Sequence, residues 1–398
     1  MRLTPTPLLF IGLLFLGLSA CIEDKTETII ESYDAQERAA LEAVLDLPQE
    51  VYNYQVELPE HVTSMGLVNS PPVGGAEANR IATLGRVLFY DTKLSKNEAV
   101  SCASCHDQQH GFADPVALSE GFAGEKTRRN SLSLGATVSF STAYGSNNSF
   151  NNFGNGQALF FWDERASSIA EQSRLTIEDD IEMGMDLDEL ADRLRNEVYY
   201  RVLFRDAFGT EAINPRLITQ ALDAFVDALA ATHTRFDEGL NQVDQAVQPF
   251  PNFSTAENQG KALFIQHCAS CHGDRMVANN LNQANNGLEL DYTDAGIGAR
   301  TGLNQDMGSF KVPHLRNVAV TAPYMHDGRF ASLEEVIDFY SAGVQDHSNL
   351  HPNLRNPDGT VRRLDLDADE KAALVAFLET LTDHELAADL RYSDPFKR

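Results

Sequence analysis

The chain has 398 residues and a formal net charge of −27, with 58 aspartates and glutamates against 31 lysines and arginines. So acidic a chain is not expected to bind nucleic acid or to adhere to anionic lipid by charge. The acidity suits a basic protein partner, and a solvated acidic surface explains it equally well. The length is sufficient for two domains with hydrophobic cores.

The N-terminus has the pattern of a lipoprotein signal. An apolar run at residues 8–18 ends in the lipobox Leu-Ser-Ala-Cys, whose last residue is Cys21. Because the run is too short to span a bilayer, a signal peptide over residues 1–20 is favoured over a transmembrane helix. Lipid on the Cys21 thiol would then be the only membrane attachment. Ile22 follows in place of an aspartate that would retain the protein at the inner membrane, so we expect a periplasm-facing outer-membrane anchor in the cell envelope.

The next segment, residues 21–79, is predicted to be an extension with one helix from Thr28 to Leu47, followed by coil rich in proline and glycine. After it, the sequence Gly-x-x-Leu-Phe occurs twice, starting at Gly85 and at Gly260. Both copies have the apolar spacing of an amphipathic helix. The repeat predicts two units of the same construction.

Each of these helices leads into the sequence Cys-Ala-Ser-Cys-His. The Cys-x-x-Cys-His spacing lets two thiols bond to one haem while the adjacent histidine ligates its iron. A zinc or disulfide site is the alternative, but neither requires a histidine directly after the second cysteine. The predicted haem attachments are Cys102 and Cys105 with the ligand His106, and Cys268 and Cys271 with the ligand His272.

Each unit also ends in a predicted helical segment, at Arg216–Phe236 and at Glu370–Leu381. A first helix packed on a last helix around haem is the cytochrome c arrangement. Strand patterns are scarce, and the stretches Ser146–Gly156 and Asn279–Gly302 are predicted to be long loops. We therefore expect a mostly α fold with two cytochrome c-like haem domains in tandem. The predicted divisions are the extension 21–79, an N-terminal haem domain at 80–239, a linker at 240–255 and a C-terminal haem domain at 256–398.

Four further motifs carry a resemblance to a known family: Arg129-Asn130-Ser131, Phe-Trp-Asp-Glu-Arg-Ala at 161–166, Leu-Arg-Asn-Val-Ala at 315–319, and Thr-Ala-Pro-Tyr-Met-His-Asp-Gly at 321–328. With them, residues 80–385 resemble the bacterial dihaem cytochrome c peroxidase family, which includes the MauG-type enzymes. The resemblance implies that the N-terminal haem meets hydrogen peroxide and the C-terminal haem handles electrons. It also implies a cytochrome c or cupredoxin as electron donor, and a homodimer.

The resemblance places Glu182 and Gln172 on the distal face of the N-terminal haem. Glu182 would be the acid–base residue for O–O cleavage, and Gln172 would orient peroxide. Without the resemblance, both would be taken for surface residues on an acidic helix. The family's usual proline between them is replaced by Thr176, which is expected to alter the shape of the distal pocket.

Many relatives close the resting N-terminal haem with a histidine before the Arg-Asn motif. Here no histidine lies between Gly111 and Thr232. His110 is expected to be a hydrogen-bonding loop residue, because it lies too close to His106 in sequence to reach the opposite haem face. Met183 and Met185 lie beside Glu182, which alone does not make either a ligand. The N-terminal haem is therefore predicted to be high-spin and open.

Tyr340 is favoured as the sixth ligand of the C-terminal haem, with Met307 and Met325 as alternatives. Tyr340 occupies the position where MauG-type enzymes have a tyrosine ligand and other relatives have a methionine. A phenolate is a hard anionic donor and lowers the potential. If Tyr340 is only a core residue at the end of a helix, Met307 and Met325 become the candidates.

Trp162 is the chain's one tryptophan, and the resemblance makes it an electron relay between the haems, whereas a core role is the general default. The resemblance also implies a calcium ion held by Asn130, Thr321 and Pro323. Three functions compete: a peroxidase, a MauG-like oxidase of an aromatic residue in another protein, and a dihaem electron carrier without catalysis. The Gln172 and Glu182 pair favours catalysis, and the favoured function is a peroxidase that reduces hydrogen peroxide to water with electrons from a small periplasmic donor.

Overall fold

The computed structural model describes residues 33–63, 74–135, 159–276 and 281–397, and within them the chain is mostly helical. The predicted signal peptide, Cys21 and the loop at Ser146–Gly156 lie outside these ranges. None of the described helices is long and apolar enough to cross a bilayer. The α-helices are α1 (Ala35–Val44), α2 (Glu60–Thr63), α3 (Ala76–Tyr90), α4 (Ile169–Glu178), α5 (Leu187–Arg195), α6 (Val198–Phe208), α7 (Pro215–Asp227), α8 (Arg235–Leu240), α9 (Thr255–His267), α10 (Ala269–His272), α11 (Ile297–Thr301), α12 (Leu333–Asp338) and α13 (Ala368–Glu379). Short 3-10 helices lie at Thr92–Leu94, Cys102–Ser104, Gln108–His110, Asn304–Asp306, Val318–Val320, Pro352–Leu354 and Leu390–Tyr392, and a π-helical turn lies at Phe339–Gly343.

The same helix crossing occurs twice: α3 packs on α7, and α9 packs on α13. At each crossing a glycine faces the neighbouring backbone. A Cβ atom on Gly85 would lie 1.9 Å from the carbonyl oxygen of Ala221, and one on Gly260 would lie 1.8 Å from that of Ala373. Any side chain at these positions would force the helices apart. The predicted packing of a first helix on a last helix is therefore confirmed in both halves.

Each crossing lies in its own hydrophobic cluster. Leu84 and Phe225 are buried in the first cluster, and Phe264 and Phe377 are buried in the second. The segment predicted as a linker, residues 240–255, is mostly exposed, but Leu240, Ala246, Phe250 and Phe253 are buried in the second cluster. The division into domains stays a prediction.

The helix predicted at Arg216–Phe236 is wrong in its extent, because the chain forms two helices, α7 and α8, with a break between them. Thr234 caps the start of α8 with its side chain. The Asp383 carboxylate accepts the backbone N–H groups of Thr232 and His233 at 2.9 and 3.0 Å. These contacts satisfy N–H groups that a continuous helix would have used itself.

Both ends of the described chain pack against the first cluster. α1 covers the middle of the helix predicted at Thr28–Leu47, whose first residues lie outside the described ranges. Leu45 pairs with Phe396 through an antiparallel bridge. The Tyr90 hydroxyl donates to the carbonyl oxygen of Tyr392 at 2.6 Å. The C-terminal tail thus returns to the N-terminal half of the molecule.

Two short strands, β1 (Gln283–Ala284) and β2 (Phe310–Lys311), form an antiparallel pair. With α11, β1 interrupts the loop predicted at Asn279–Gly302. The N–H of Lys311 in β2 also donates to the carbonyl oxygen of Trp162 at 2.8 Å. This hydrogen bond joins the tryptophan motif to the C-terminal half.

Candidate active site

The first Cys-x-x-Cys-His motif folds as a 3-10 turn at Cys102–Ser104 followed by His106. The Nδ1 atom of His106 lies 2.8 Å from the carbonyl oxygen of Phe112. A carbonyl oxygen only accepts, so Nδ1 carries the proton and Nε2 has a free lone pair. The Ser131 hydroxyl donates to the carbonyl oxygen of Cys105 at 2.8 Å and lies 3.2 Å from the same Nδ1 atom. The ring is thereby held in the tautomer that a metal ligand requires.

The second motif has the same arrangement in α10. The Nδ1 atom of His272 lies 3.1 Å from the carbonyl oxygen of Pro313, which again leaves Nε2 free. Burial lowers the pKa of His272 to about 4, and burial also lowers the pKa of His106. Both imidazoles are therefore neutral at neutral pH, as iron ligation requires.

A cavity opens beside each motif. Cys102, Cys105 and His106 line the first cavity, and the corresponding residues Cys268, Cys271 and His272 line the second. None of these four cysteines forms a disulfide. Two thiols and one imidazole with a free Nε2 atom therefore face each cavity, and this donor set fits a covalently attached haem.

Gln172 and Glu182 line the first cavity together with His106. Gln172 lies on α4, and Glu182 lies in the turn that follows, where its N–H donates to the Asp179 carboxylate at 3.1 Å. Burial is the main cause that raises the pKa of Glu182, and the negative charge of Asp179 adds to it. A hydrogen bond from Thr176 acts in the opposite direction. The structure thus brings the two predicted distal residues to one cavity.

Residues 119–122, the stretch where the resemblance places the closing histidine of many relatives, lie against the Glu182 turn. The N–H of Phe122 donates to the carbonyl oxygen of Glu182 at 3.0 Å. A Cβ atom on Gly121 would lie 1.7 Å from the carbonyl oxygen of Ile181, so only glycine allows this approach. Among the described residues that line the first cavity, His106 is the one histidine.

The methionines beside Glu182 and the histidine near the first motif make other contacts. Met183 lines the first cavity and is buried in the first hydrophobic cluster, whereas Met185 belongs to that cluster alone. His110 hydrogen-bonds the Asp107 carboxylate at 2.9 Å. This contact agrees with its predicted role as a loop residue.

Two of the three predicted sixth ligands line the second cavity. Tyr340 and Met325 both face it beside His272, whereas Met307 is not among the described residues that line it. Tyr340 lies in the π-helical turn after α12, an irregularity often found at functional sites. Burial raises the pKa of Tyr340 to about 12. Two candidates for the sixth ligand therefore remain, the oxygen of Tyr340 and the sulfur of Met325.

Trp162 and Asn130 line both cavities. The indole is held by a hydrogen bond from its N–H to the carbonyl oxygen of Asn130, at 2.9 Å. The N–H of Asn130 in turn donates to the carbonyl oxygen of His326 at 2.7 Å. The indole is therefore fixed between the two motifs.

The residues predicted to hold calcium, Asn130, Thr321 and Pro323, all line the second cavity. The Asn130 Nδ2 group donates to the carbonyl oxygens of Val116 and Ala117 at 3.3 and 3.2 Å. No group of three histidine, cysteine or carboxylate side chains in the described ranges is arranged to hold a metal ion. Any cation here would depend on amide and backbone oxygens, a donor type that suits calcium.

Comparison with known proteins identifies the family. Residues 79–245 match the family model described as di-haem cytochrome c peroxidase, and residues 258–382 match the cytochrome c model. The methylamine utilization protein MauG of Paracoccus denitrificans is 33% identical over 364 residues, which cover 79% of this chain and 92% of that protein. The chain belongs to the di-haem cytochrome c peroxidase and MauG family. It is therefore an oxidoreductase with two c-type haems, and the predicted fold class is confirmed.

Two further similar proteins support this family assignment. A cytochrome-c peroxidase of Denitromonas iodatirespirans is 30% identical over 334 residues, which cover 76% of this chain and 82% of that protein. The crystal structure of a MauG-like protein associated with microbial copper homeostasis matches 88% of this chain and 98% of its own, with a TM-score of 0.67 and 31% identity.

Several polar contacts around the two cavities were not predicted from the sequence. Arg129 pairs with Asp163 at 2.7 Å and with Asp294 at 2.7 and 2.9 Å, which links the tryptophan motif to the C-terminal half. Ser131 supports His106, and its place in the Arg-Asn-Ser motif was the available signal. Asn286 lies between Tyr340 and Met325, and nothing in its sequence neighbourhood indicates this position.

Proposed function

We propose that the protein reduces hydrogen peroxide to water in the first cavity, with electrons from a small periplasmic donor such as a cytochrome c or a cupredoxin. The observation that carries this proposal is that Gln172 and Glu182 share the cavity of His106. A general acid–base must reach the peroxide oxygens, and a carboxylic acid next to an amide provides both proton transfer and orientation.

Two residues of the chain have separate roles, proton transfer and orientation of the peroxide. With the haem bound, its iron supplies the position at which the O–O bond breaks. Glu182 takes a proton from one peroxide oxygen and returns it to the other, which leaves as water. Gln172 orients the peroxide by hydrogen bonding. Two electrons and two protons are consumed for each peroxide, and two waters are formed.

Electron supply is assigned to the second cavity and to Trp162. His272 would hold the haem that receives electrons from the donor protein, and the Trp162 indole, which lines both cavities, would carry them to the first cavity. Its hydrogen bond to the Asn130 carbonyl keeps the ring orientation constant during transfer.

The test is steady-state oxidation of a reduced cytochrome c by peroxide, with the holoprotein as catalyst. The proposal predicts turnover that requires both haems. If the protein exchanges electrons with cytochrome c but does not react with peroxide, it is a dihaem electron carrier. The peroxidase proposal would then be wrong.

A second candidate is a MauG-like oxidase that uses peroxide to oxidise an aromatic residue of another protein. Tyr340 in the second cavity favours it, because a hard anionic donor stabilises oxidised iron. The two candidates differ in the lifetime of the protein after stoichiometric peroxide without reductant. A long-lived state that retains two oxidising equivalents supports the oxidase, and rapid decay with fast turnover on reduced cytochrome c supports the peroxidase.

We also propose a calcium ion at Asn130, with the backbone carbonyls of Thr321 and Pro323 as further donors. In support, these three residues gather at the second cavity. Because Asn130 also accepts the Trp162 indole N–H, a cation there would stiffen the contact between the two cavities.

The proposed location is the periplasmic side of the outer membrane, with lipid on Cys21 as the only anchor. A homodimer is a further expectation of the family. Replacement Cys21→Ser is expected to release the protein from the membrane fraction, and unchanged membrane association would contradict the anchor. Size-exclusion chromatography of the released protein tests the dimer.

A further inference from the structure

The side chain of Asn286 lies between the two potential iron ligands of the second cavity. Its Nδ2 atom is 3.3 Å from the Tyr340 hydroxyl oxygen and 3.7 Å from the Met325 sulfur. All three side chains line the cavity that contains His272. One amide group therefore contacts both the oxygen donor and the sulfur donor.

The orientation of this amide is fixed by its other end. The Oδ1 atom of Asn286 accepts the backbone N–H of Leu288 at 3.2 Å and the Tyr292 hydroxyl at 3.4 Å. A backbone N–H can only donate, so the oxygen of the amide must lie on that side. The NH2 group consequently faces Tyr340 and Met325.

The backbone around Asn286 is also held in place. The carbonyl oxygen of Asn285 accepts the N–H of His351 at 3.0 Å, and that of Gly287 accepts the N–H of Gln345 at 2.7 Å. Hydrogen bonds on both sides leave Asn286 little freedom to move away from the cavity. The position of its NH2 group is therefore a property of the folded loop.

An amide N–H forms hydrogen bonds of different strength with the two candidate ligands. It forms a strong hydrogen bond with an anionic oxygen, whereas a thioether sulfur is a weak acceptor. Met325 also has a backbone φ of +75°, in the left-handed region that residues other than glycine rarely adopt. Tyr340, by contrast, is presented by the π-helical turn at Phe339–Gly343.

We propose that Asn286 is a positioning residue that selects Tyr340 over Met325 as the iron ligand of the C-terminal haem, by donating a hydrogen bond to the tyrosine oxygen. The inference deepens the proposed function, because it rests on ligation of that haem by Tyr340. Loss of the N–H donor removes the advantage of the oxygen, and the softer sulfur of Met325 then competes for iron.

The experiment compares parental holoprotein with Asn286→Leu, by absorption and EPR spectroscopy and by redox titration of the C-terminal haem. The expected result is loss of the tyrosinate signature, appearance of the near-infrared band of histidine–methionine haem, and a rise in potential. The double variant Asn286→Leu with Met325→Leu should lack that band. Asn282→Leu, an exposed asparagine on the same segment, is the matched control and should match the parent.

A second variant covers the case in which Asn286→Leu does not fold. Tyr292→Phe removes one hydrogen bond that fixes the amide, and the same spectral shift is expected to a smaller extent. Tyrosinate ligation and potential unchanged in the variants would overturn the role of Asn286 alone. Methionine ligation in the parent would overturn Tyr340 ligation as well. Neither result depends on peroxide turnover, so failure of the peroxidase proposal would be recognised separately.

Discussion

The indole N–H of Trp162 donates to the carbonyl oxygen of Asn130 at 2.9 Å, and both residues line both cavities. The hydrogen bond couples the proposed electron relay to the proposed calcium ligand. Through the N–H of Asn130 and the carbonyl oxygen of His326, the same connection continues into the C-terminal half. The contact between the two halves and the electron path are therefore built from the same residues.

Replacement Trp162→Phe should slow electron transfer between the haems by about an order of magnitude, since phenylalanine is much harder to oxidise than an indole. It also leaves the Asn130 carbonyl without its donor, at a cost of about 1 kcal/mol in the free energy of unfolding. Stopped-flow spectroscopy of the two haems checks the rate. Phe161→Leu, which changes a residue lining only the first cavity, is the control. Equal rates in Trp162→Phe and the parent would contradict the relay.

Replacement Glu182→Gln keeps the side-chain shape but removes the proton acceptor. Peroxide reduction should fall by about 10²- to 10⁴-fold, the usual contribution of general acid–base catalysis. The control is Glu178→Gln, an exposed residue at the end of α4, the helix that carries Gln172. Turnover of Glu182→Gln at the parental rate would show that the acid–base assignment is wrong.

The same variant should be more stable than the parent at neutral pH. Burial raises the pKa of Glu182 in the folded protein, so the folded state favours the protonated acid. Its contribution to stability is fully present below the ordinary carboxyl pKa of about 4 and is lost as the pH rises through the folded pKa. Thermal unfolding of parent and Glu182→Gln should therefore differ at pH 7 and converge at about pH 4. A constant difference across this range would contradict the burial of the carboxylate.

Replacement Arg129→Leu leaves Asp163 and Asp294 without their shared cation. Because the Arg129 side chain is only 16% exposed, the loss should cost about 2–3 kcal/mol of unfolding free energy. Arg128→Leu is the control, since that side chain is 72% exposed and its ion pair should contribute less than about 1 kcal/mol. Equal losses in chemical denaturation would contradict a structural role for Arg129.

The same ion pair predicts acid sensitivity. Burial alone would raise the pKa of Asp294, but hydrogen bonds from Arg129 and from the Gly296 N–H outweigh it and the net shift is downward. A lowered folded pKa contributes stability above the unfolded pKa of about 4, and this is lost as the pH falls through the folded pKa. Arg129→Leu should therefore show a weaker loss of stability in acid than the parent.

Removal of calcium by a chelator should lower the melting temperature and slow electron transfer between the haems. Asn130→Ala should show both effects without chelator and respond little to its addition, because the backbone carbonyls alone bind the ion weakly. Calorimetry and stopped-flow spectroscopy measure the two effects. Parental transfer rates that do not change in the presence of chelator would contradict the calcium proposal.

Local signals predicted the parts of the molecule that repeat. The Cys-x-x-Cys-His motifs and the two Gly-x-x-Leu-Phe repeats each carry their signal within a few residues, and the repeats form helices as expected. The close approach of Gly85 and Gly260 to a distant helix was not predicted. Contacts between distant segments could not be predicted in this way. Arg129 meets Asp294 across the two halves, and the position of Asn286 depends on hydrogen bonds to residues far along the chain. Neither contact leaves a periodic or local pattern.

The most direct test of the peroxidase account is an absorption and EPR spectrum of the as-isolated ferric holoprotein, before and after stoichiometric peroxide. The account predicts one high-spin haem, at His106, and one low-spin haem, at His272, with the high-spin signal consumed by peroxide. Two low-spin haems that do not react with peroxide would contradict an open first cavity and the function proposed for it.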